Sequence, residues 1–494
     1  MQASIFCMKD RVPLEVRTIT AKLREAGFDA YLVGGCVRDM LLNKAPKDWD
    51  VTTNATPPKL QELFPDSFYE NDFGTVGVKT GSEDSSLSIV EVTPYRTEGE
   101  YRDKRRPESV TFGDNLEEDL ARRDFTINAI AYDDSKGHLV DPYKGQEDVV
   151  AKVIRTVGVP EERFEEDALR LMRAVRLMAE LAFAIDSETA AGIEKKADNL
   201  GHISRERIRD EFCRILLSHD PMMALQVAYK LGILKYVSPA LEAGIGVDQN
   251  QAHSYDVFGH LMHSVQHAAD KEWALDIRLA ALFHDISKPE TRRWSDEKGD
   301  WTFHGHEVVG ARVTKKIMED LHFSREMSEK VVKLVRWHMF FSDPDQITLS
   351  AVRRMITNVD EENIWDLLNL RICDRIGTGR PKEQPFRFRK YKAMVEQALR
   401  DPISVSMLET DGSRLMKEFH MKPGPQIGHI LNALLEEVLD DPSQNSPEYL
   451  DARTRELLEL APDQLAKLGR SGKAALEKAE EEEIRKIEKK HKVG

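Results

Sequence analysis

The spacing of apolar positions divides the 494-residue chain near Pro160. Before that point, short strand-like runs dominate. Tyr31-Leu-Val reads as a short buried strand, and Cys36 to Leu42 as the first turns of a helix. Thr75-Val-Gly-Val-Lys-Thr and Leu87-Ser-Ile-Val-Glu-Val-Thr alternate around the polar turn Gly81 to Ser86, which predicts a hairpin. Val140-Asp-Pro-Tyr-Lys-Gly145 closes this part in a Pro/Gly turn. After Pro160 the spacing is helical, and the pattern predicts helices over 161–181, 203–217, 222–231, 254–269, 275–284, 308–318, 328–338, 350–357 and 363–376. A linker is expected at 380–385, then helices over 406–439 broken at Lys422-Pro-Gly-Pro425. Residues 473–490 are almost all charge and Ala and read as a solvated helix or a frayed tail. The expected fold class is α+β: an α/β head with a small mixed sheet over 1–150, an all-helical neck and body over 151–250, a further helical domain over 251–385, and a helical tail with a charged end over 386–494.

Within the head, one run couples a place for a triphosphate to a place for metal ions. Gly34 and Gly35 make a turn where backbone can approach a ligand with no Cβ in the way. The helix that follows offers amide groups, and Arg38 adds a forked cation. Asp48 and Asp50 stand two apart in what reads as a strand, so both carboxylates leave one face. Such a pair repels itself unless cations lie between, and Mg²⁺ with a nucleotide phosphate fits that need. A lone Gly-Gly turn or a lone Asp-x-Asp is common on solvated surfaces; their order and close spacing favour the joint reading.

Composition narrows the partners. The net charge is -15 and the pI about 5.6, so nucleic acid must be met through a local basic surface. Arg96, Arg102, Lys104, Arg105 and Arg106, interleaved with Tyr95 and Tyr101, offer one such patch or a solvated loop. Cys7, Cys36, Cys213 and Cys373 form no CxxC pair, which argues for a reducing, cytoplasmic setting and against a cysteine-based zinc site. No apolar run approaches a membrane span, so no membrane partner is expected. Oligomeric state is not set by the pattern.

Asp167, Arg170, Arg173 and Arg176 step by three along a predicted helix. A surface salt-bridge stripe would alternate in sign; here one acid precedes three arginines. Asp167 can accept from an exocyclic amino group and Arg170 can donate to ring acceptors, leaving Arg173 and Arg176 for phosphate or for ordering the acid. An acid beside an arginine suits cytosine and adenine. Guanine and uracil would set a carbonyl against the acid, which is costly when buried.

The helical part also carries His260, His284-Asp285, His306, His338 and Asp374. Isolated histidines are most often core or surface groups, but His284-Asp285 ends an apolar run, Leu279-Ala-Ala-Leu-Phe, and suits a divalent ion.

Gly34-Gly-Cys-Val-Arg38-Asp, Asp48-Trp-Asp50, Arg122-Arg-Asp-Phe-Thr-Ile-Asn128-Ala, Asp141-Pro-Tyr-Lys-Gly145, Glu166-Asp-x-x-Arg170-x-x-Arg173-Ala and Ser204-Arg-Glu-Arg207-Ile-Arg-Asp-Glu211 together resemble the ordered motifs of class II tRNA nucleotidyltransferases, the CCA-adding enzymes and bacterial poly(A) polymerases. The resemblance implies a nucleotidyltransferase head in which Asp48 and Asp50 hold catalytic Mg²⁺, with Glu91 a further carboxylate. Gly35, Arg38 and Arg123 would contact the nucleotide, and Asp167 and Arg170, supported by Arg173 and Arg176, would act as a protein template choosing CTP and ATP. The tRNA 3′ end would be the acceptor. Tyr95 to Pro107 resembles the family's flexible loop, which favours full CCA addition or A addition over CC addition. His260, His284, Asp285 and Asp374 stand in the H…HD…D order of the HD phosphohydrolases over roughly 255–380, with His306 and His338 available to a second metal. That implies a divalent transition metal and a phosphatase or phosphodiesterase activity. His263 and His267 share the helix of His260 and compete with it as first ligand, and Ser287 replaces the usual glycine of His-Asp-x-Gly-Lys. Poly(A) polymerase, an A-adding enzyme, a nucleotide-signalling HD hydrolase with a regulatory head, and an inactive RNA-binding scaffold remain the rival readings.

Overall fold

The structure, a computed structural model, describes residues 8–69, 74–98, 101–102, 106–107, 110–250, 253–340, 346–400 and 404–493. Its head is built on a seven-stranded sheet in the order His138–Val140, Ala131–Asp133, Tyr31–Val33, Asp50–Thr53, Ile89–Pro94, Val76–Lys79, Ser67–Tyr69. Asp50–Thr53 runs parallel to Ile89–Pro94, and every other pairing in this sheet is antiparallel. The sheet is therefore mixed, as expected, and the predicted hairpin is present. Gly34, at φ +81, turns the chain out of Tyr31–Val33 into the helix Gly35–Leu41. A left-handed turn this tight between buried strand and buried helix is where glycine is needed.

Several expectations are corrected. The strand begins at Asp50, and Asp48 lies in the bend before it, because Trp49 is drawn into the core at 3% exposure. The helix expected over 161–181 is two helices, Pro160–Glu166 and Leu169–Leu181. Asp167 breaks them, in extended backbone at φ -137, with its Oδ1 accepting from the amide of Leu169 at 3.1 Å. An aspartate in the break, bonding the first amide of the next helix two residues on, is a better fit than one inside a helix. The region after Pro160 is not wholly helical: Val153–Ile154 pairs with Ala184–Ile185, and Arg293–Ser295 with Asp300–Thr302. Strands of two or three residues are too short to show a period.

The chain separates into two compact units. One holds residues up to His338 together with Asn369–Pro381; the other holds Met339–Leu368 and the chain from Lys382 onward. In the second unit, the final helix Pro462–Lys490 carries residues 473–490, exposed or half-buried but for Ile487, so of the two readings it is the solvated helix and not the frayed tail. It lies against Pro425–Asp440 so closely that a Cβ on Gly469 would come within 2.6 Å of the Cα of His429. Among the described residues no helix is long and apolar enough to cross a membrane.

Candidate functional sites

At the head, the Gly34–Gly35 turn lies against the predicted acids and cations. A Cβ on Gly34 would meet Asp50 Oδ2 at 3.2 Å and Arg123 Nη1 at 3.4 Å; one on Gly35 would meet Arg38 Nη2 at 3.5 Å and Asp48 Oδ1 at 3.9 Å. Asp48 is exposed and Asp50 half-buried. Glu91 is the register partner of Asp50 on the adjacent parallel strand, so both leave the same face of the sheet. Arg38 donates to Asp39 at 2.9 Å and to Asn128 Oδ1 at 2.8 Å, which fixes its fork beside the turn. Arg123 is held by Asp119 at 3.3 Å.

Asp119 was not among the predicted residues. It is fully buried, accepts from Thr52, Arg122 and Arg123, and anchors both arginines to the strand that carries Asp50. Burial pushes its carboxyl up, but Arg123 and Arg122 prevail and hold it below the usual carboxylate range. Its spacing of three and four residues before Arg122 and Arg123 was a usable signal.

The segment expected to select the nucleotide is tied to the same place. Arg163 Nη1 donates to the carbonyl of Ala121 at 3.0 Å, Arg170 Nη2 to that of Arg122 at 2.9 Å, and Arg173 pairs with Asp124 Oδ2 at 2.7 Å. These contacts bracket Arg123. Arg170, Arg173 and Arg176 keep the expected step of three along Leu169–Leu181, while Asp167 falls outside that helix. Arg170 is buried and also donates to Glu166 at 2.5 Å. Arg176 pairs with Glu211 at 2.7 Å. Asp167 Oδ2 accepts from Arg207 at 2.8 Å, a partner the spacing did not identify.

Of the basic patch, Lys104 and Arg105 and the side chains of Arg102 and Arg106 lie outside the described residues. Tyr95, expected to interleave that patch, is fully buried.

The histidine cluster is compact. His260, His284, Asp285 and Asp374 offer ligand atoms within 4.8 Å of one another, and Asp285, His306 and His338 form a second such group. Asp285 belongs to both. Its Oδ2 lies 3.0 Å from His260 Nε2 and 3.3 Å from His284 Nε2; its Oδ1 lies 3.1 Å from His306 Nε2 and 3.4 Å from His338 Nε2. Asp374 Oδ1 stands 3.6 Å from His260 and 3.8 Å from His284. All six residues are buried.

The Nδ1 atoms of His284, His306 and His338 face the carbonyls of Ala281, Phe303 and Val335 at 2.6–2.9 Å. Those carbonyls fix the proton on Nδ1 and turn the Nε2 lone pairs inward. His260 and His284 then bring Nε2 atoms to 2.9 Å, and His306 and His338 to 3.2 Å. Ring nitrogens and carboxylate oxygens gathered this closely are a donor set that suits divalent cations, and Asp285 would be available to both groups. Burial pulls His284 down, yet Asp285 and Asp374 override it and push it up to about 9. His260 is held down, chiefly by burial. Neither His263, stacked on Tyr255, nor His267, edge-on to Trp273, joins the cluster. Lys288, missed as a site residue, places Nζ 2.6 Å from Asp285 Oδ2.

The chain matches the poly(A) polymerase head domain over residues 30–155, the probable RNA and SrmB-binding site of polymerase A over 182–245, and the HD domain over 253–363. A CCA-adding enzyme of Lactobacillus helveticus is 34% identical over 457 residues, 91% of this chain and 99% of that one. The chain belongs to the family of CCA-adding enzymes. That makes it a nucleotidyltransferase, and the family implies a divalent metal ion. The CCA-adding enzyme of Geobacillus kaustophilus is 42% identical over 233 residues, 46% of this chain and 55% of that one. Among solved structures, the Bacillus stearothermophilus CCA-adding enzyme in complex with CTP is similar at TM-score 0.58 and 26% identity, covering 90% of this chain and 99% of that one. The Thermotoga maritima CCA-adding enzyme complexed with tRNA shares the fold at TM-score 0.51 and 18% identity, covering 91% and 97%.

Proposed function

We propose that this protein adds C, C and A to the 3′ end of tRNA from CTP and ATP without a nucleic-acid template, and that the transfer takes place in the head. The observation that carries the reading is the convergence of Asp48, Asp50, Arg38 and Arg123 on the Gly34–Gly35 turn. The exposed and half-buried carboxylates of Asp48 and Asp50 are hard oxygen donors, which suit Mg²⁺. Bound there, Mg²⁺ would lower the charge on the triphosphate and favour ionisation of the attacking hydroxyl. Arg38 and Arg123, each braced by a second side chain, hold the phosphates in place. The 3′ hydroxyl of tRNA gives its proton to solvent water as its oxygen adds to the α-phosphorus, the bond to the bridging β-phosphate oxygen breaks, and pyrophosphate leaves with that electron pair.

Asp167 and Arg170 read the base. Each carboxylate oxygen has two lone-pair directions, so Asp167 Oδ2 can keep Arg207 and still accept from an exocyclic amino group. Arg170 must release Glu166 or the Arg122 carbonyl to offer its fork to ring acceptors. Arg173 supports the pair by holding Asp124. We assign transfer to residues 1–150, selection and RNA contact to 151–250, the HD activity to 251–385 and further RNA contact to 386–494, with cytoplasmic tRNA as the partner.

A second reading is supported by the bridging position of Asp285: the HD cluster holds a divalent transition metal pair and hydrolyses phosphate esters. The ligand set of imidazole and carboxylate suits such ions.

Extension of tRNA transcripts ending before CCA, after C and after CC, with labelled CTP, ATP or both, tests the first reading. Growth of the shortest by C, C, A and a stop is the expected result. One A added to the CC-ended tRNA alone makes it an A-adding enzyme, unlimited A tails a poly(A) polymerase, and no incorporation overturns the head assignment.

A further inference from the structure

The neck helix Arg205–Leu217 has a second set of partners that the transfer reaction does not explain. On one face, Arg207 gives its Nη2 to Asp167 Oδ2 at 2.8 Å, and Glu211, one turn on, takes Arg176 at 2.7 Å. Residues two apart on a helix lie roughly 200° apart, so Arg205 and Arg209 leave the opposite face. Both reach the turn between the helices His306–Asp320 and Arg325–Trp337. Arg205 Nε donates to the carbonyl of Asp320 at 3.2 Å, and Arg209 Nη1 to that of His322. The His322 ring meets Glu206 through Nδ1. The far end of the neck helix is held as well. Arg278, 5% exposed, donates from Nη1 to the carbonyls of Leu216 at 2.7 Å and Ser218 at 3.2 Å. It belongs to Leu275–Phe283, the helix that runs into His284 and Asp285.

The elements that hold this helix are those that carry the histidine cluster. His306 opens one arm of the helical hairpin and His338 follows the end of the other, so these two residues stand at its base and the turn at 320–323 forms its tip. The 15-residue arm, at about 1.5 Å per residue, sets base and tip roughly 22 Å apart. We infer that the tip is a strut for base selection, with Arg209 as a positioning residue: it fixes the neck helix so that Arg207 keeps the Asp167 carboxylate aimed at the base edge. The inference rests on Asp167 as the reader of the base. A carboxylate tells an amino group from a carbonyl only if it cannot turn away, because the penalty for GTP and UTP is two acceptors held face to face. Asp167 stands in extended backbone between two helices, so its direction depends on what grips its oxygens. The Leu169 amide takes Oδ1, and Arg207 takes Oδ2. Arg207 in turn rides on a helix whose opposite face is docked on the tip. The HD bundle thereby takes part in CCA addition through helix packing and not through its cluster, which lies at the other end of the hairpin.

The test uses the full chain and its Arg209→Ala, Arg209→Lys, His322→Gly and Asp167→Ala variants. His322 sits at φ +56, so glycine keeps the turn while removing the ring that meets Glu206. kcat/KM is measured for CTP and UTP on tRNA ending before CCA, and for ATP and GTP on tRNA ending in CC. Thermal midpoints and retained metal are read alongside. Arg209→Ala should lower the CTP-over-UTP and ATP-over-GTP ratios about 10-fold, short of the ~100-fold that a misplacement of about 1 Å costs. Arg209→Lys, which keeps a donor for the His322 carbonyl, should restore most of that loss, and His322→Gly should lower the ratios by a smaller factor. Retained metal stays as in the natural protein. Unchanged ratios in Asp167→Ala overturn base reading by Asp167, and the strut with it. Relaxed ratios in Asp167→Ala with unchanged ratios in folded Arg209→Ala and His322→Gly overturn the strut alone, and a lower thermal midpoint then makes these contacts structural only. Ratios that fall in Arg209→Ala together with retained metal mark a general loosening of the bundle and also overturn it.

Discussion

The head site and the HD cluster both gather carboxylates where phosphate chemistry is at stake, by opposite means. In the head, Asp48 and Asp50 sit exposed and half-buried at the start of a strand, with oxygen donors only. In the cluster, four histidines and two aspartates are packed away from water and share one bridging carboxylate. An open oxygen site suits a metal that arrives with its triphosphate and leaves with pyrophosphate. A closed nitrogen-and-oxygen site suits a resident ion. The proposed assignments thus set a borrowed metal in the head against a held one in the cluster.

The sharpest break of that comparison is at the head. Asp50→Ala or Asp48→Ala should reduce nucleotide incorporation by at least on the order of 10³-fold, more than loss of a single hydrogen-bond donor costs, while the metal retained after dialysis is unchanged. Gel-resolved extension and metal analysis read the two quantities. In the cluster, Asp285→Asn removes the bridge from both metal groups. Retained transition metal should weaken by more than the ~100-fold that losing an outer hydrogen-bond partner costs, with CTP and ATP incorporation intact.

Two smaller effects separate reading from support in the neck. Arg176→Ala leaves Glu211 buried without its closest cation, and should cost roughly 3 kcal/mol of stability, seen as a lower denaturation midpoint, with no change in the choice among the four nucleotides. Asp167→Ala should do the reverse: selection against GTP and UTP relaxes, with a stability loss of only about 1 kcal/mol from the missing Leu169 amide contact. The smallest effect is at Asp124. Burial opposes its ionisation, but Arg173, Arg170 and hydrogen bonds from Asn128 and the Phe125 amide hold the carboxyl below its ordinary value. A depressed folded pKa means that this stabilisation is fully present above the ordinary carboxylate pKa, about 4. It is lost as pH falls through the lower folded value. Thermal midpoints taken from pH 6 to pH 3 should therefore fall less steeply in Asp124→Asn than in the natural protein.

Much of the architecture was legible because long periods carry it. The helices after Pro160 and the hairpin around Gly81–Ser86 follow from apolar spacing. What escaped was decided by a few atoms. Asp167 fits a helical period but sits in the break before the next helix instead, since a short carboxylate serves the Leu169 amide better than a mid-helix position. Arg176 keeps the step of three, yet pairs with Glu211 thirty-five residues on, a distance no local spacing reveals. Among the histidines, sequence order allowed His260, His263 or His267; only the packing of five helices brings His260 Nε2 to Asp285. Tyr95 read as one of two tyrosines interleaving a basic patch, and it is fully buried.

The most direct test crosses the two sites. Asp50→Ala and Asp285→Asn are each assayed for CCA addition to a tRNA lacking its end, for phosphate-ester hydrolysis and for retained metal. The account predicts that Asp50→Ala loses addition and keeps metal and hydrolysis, while Asp285→Asn loses metal and hydrolysis and keeps addition. Loss of CCA addition in a folded Asp285→Asn variant, or its survival in Asp50→Ala, would contradict it.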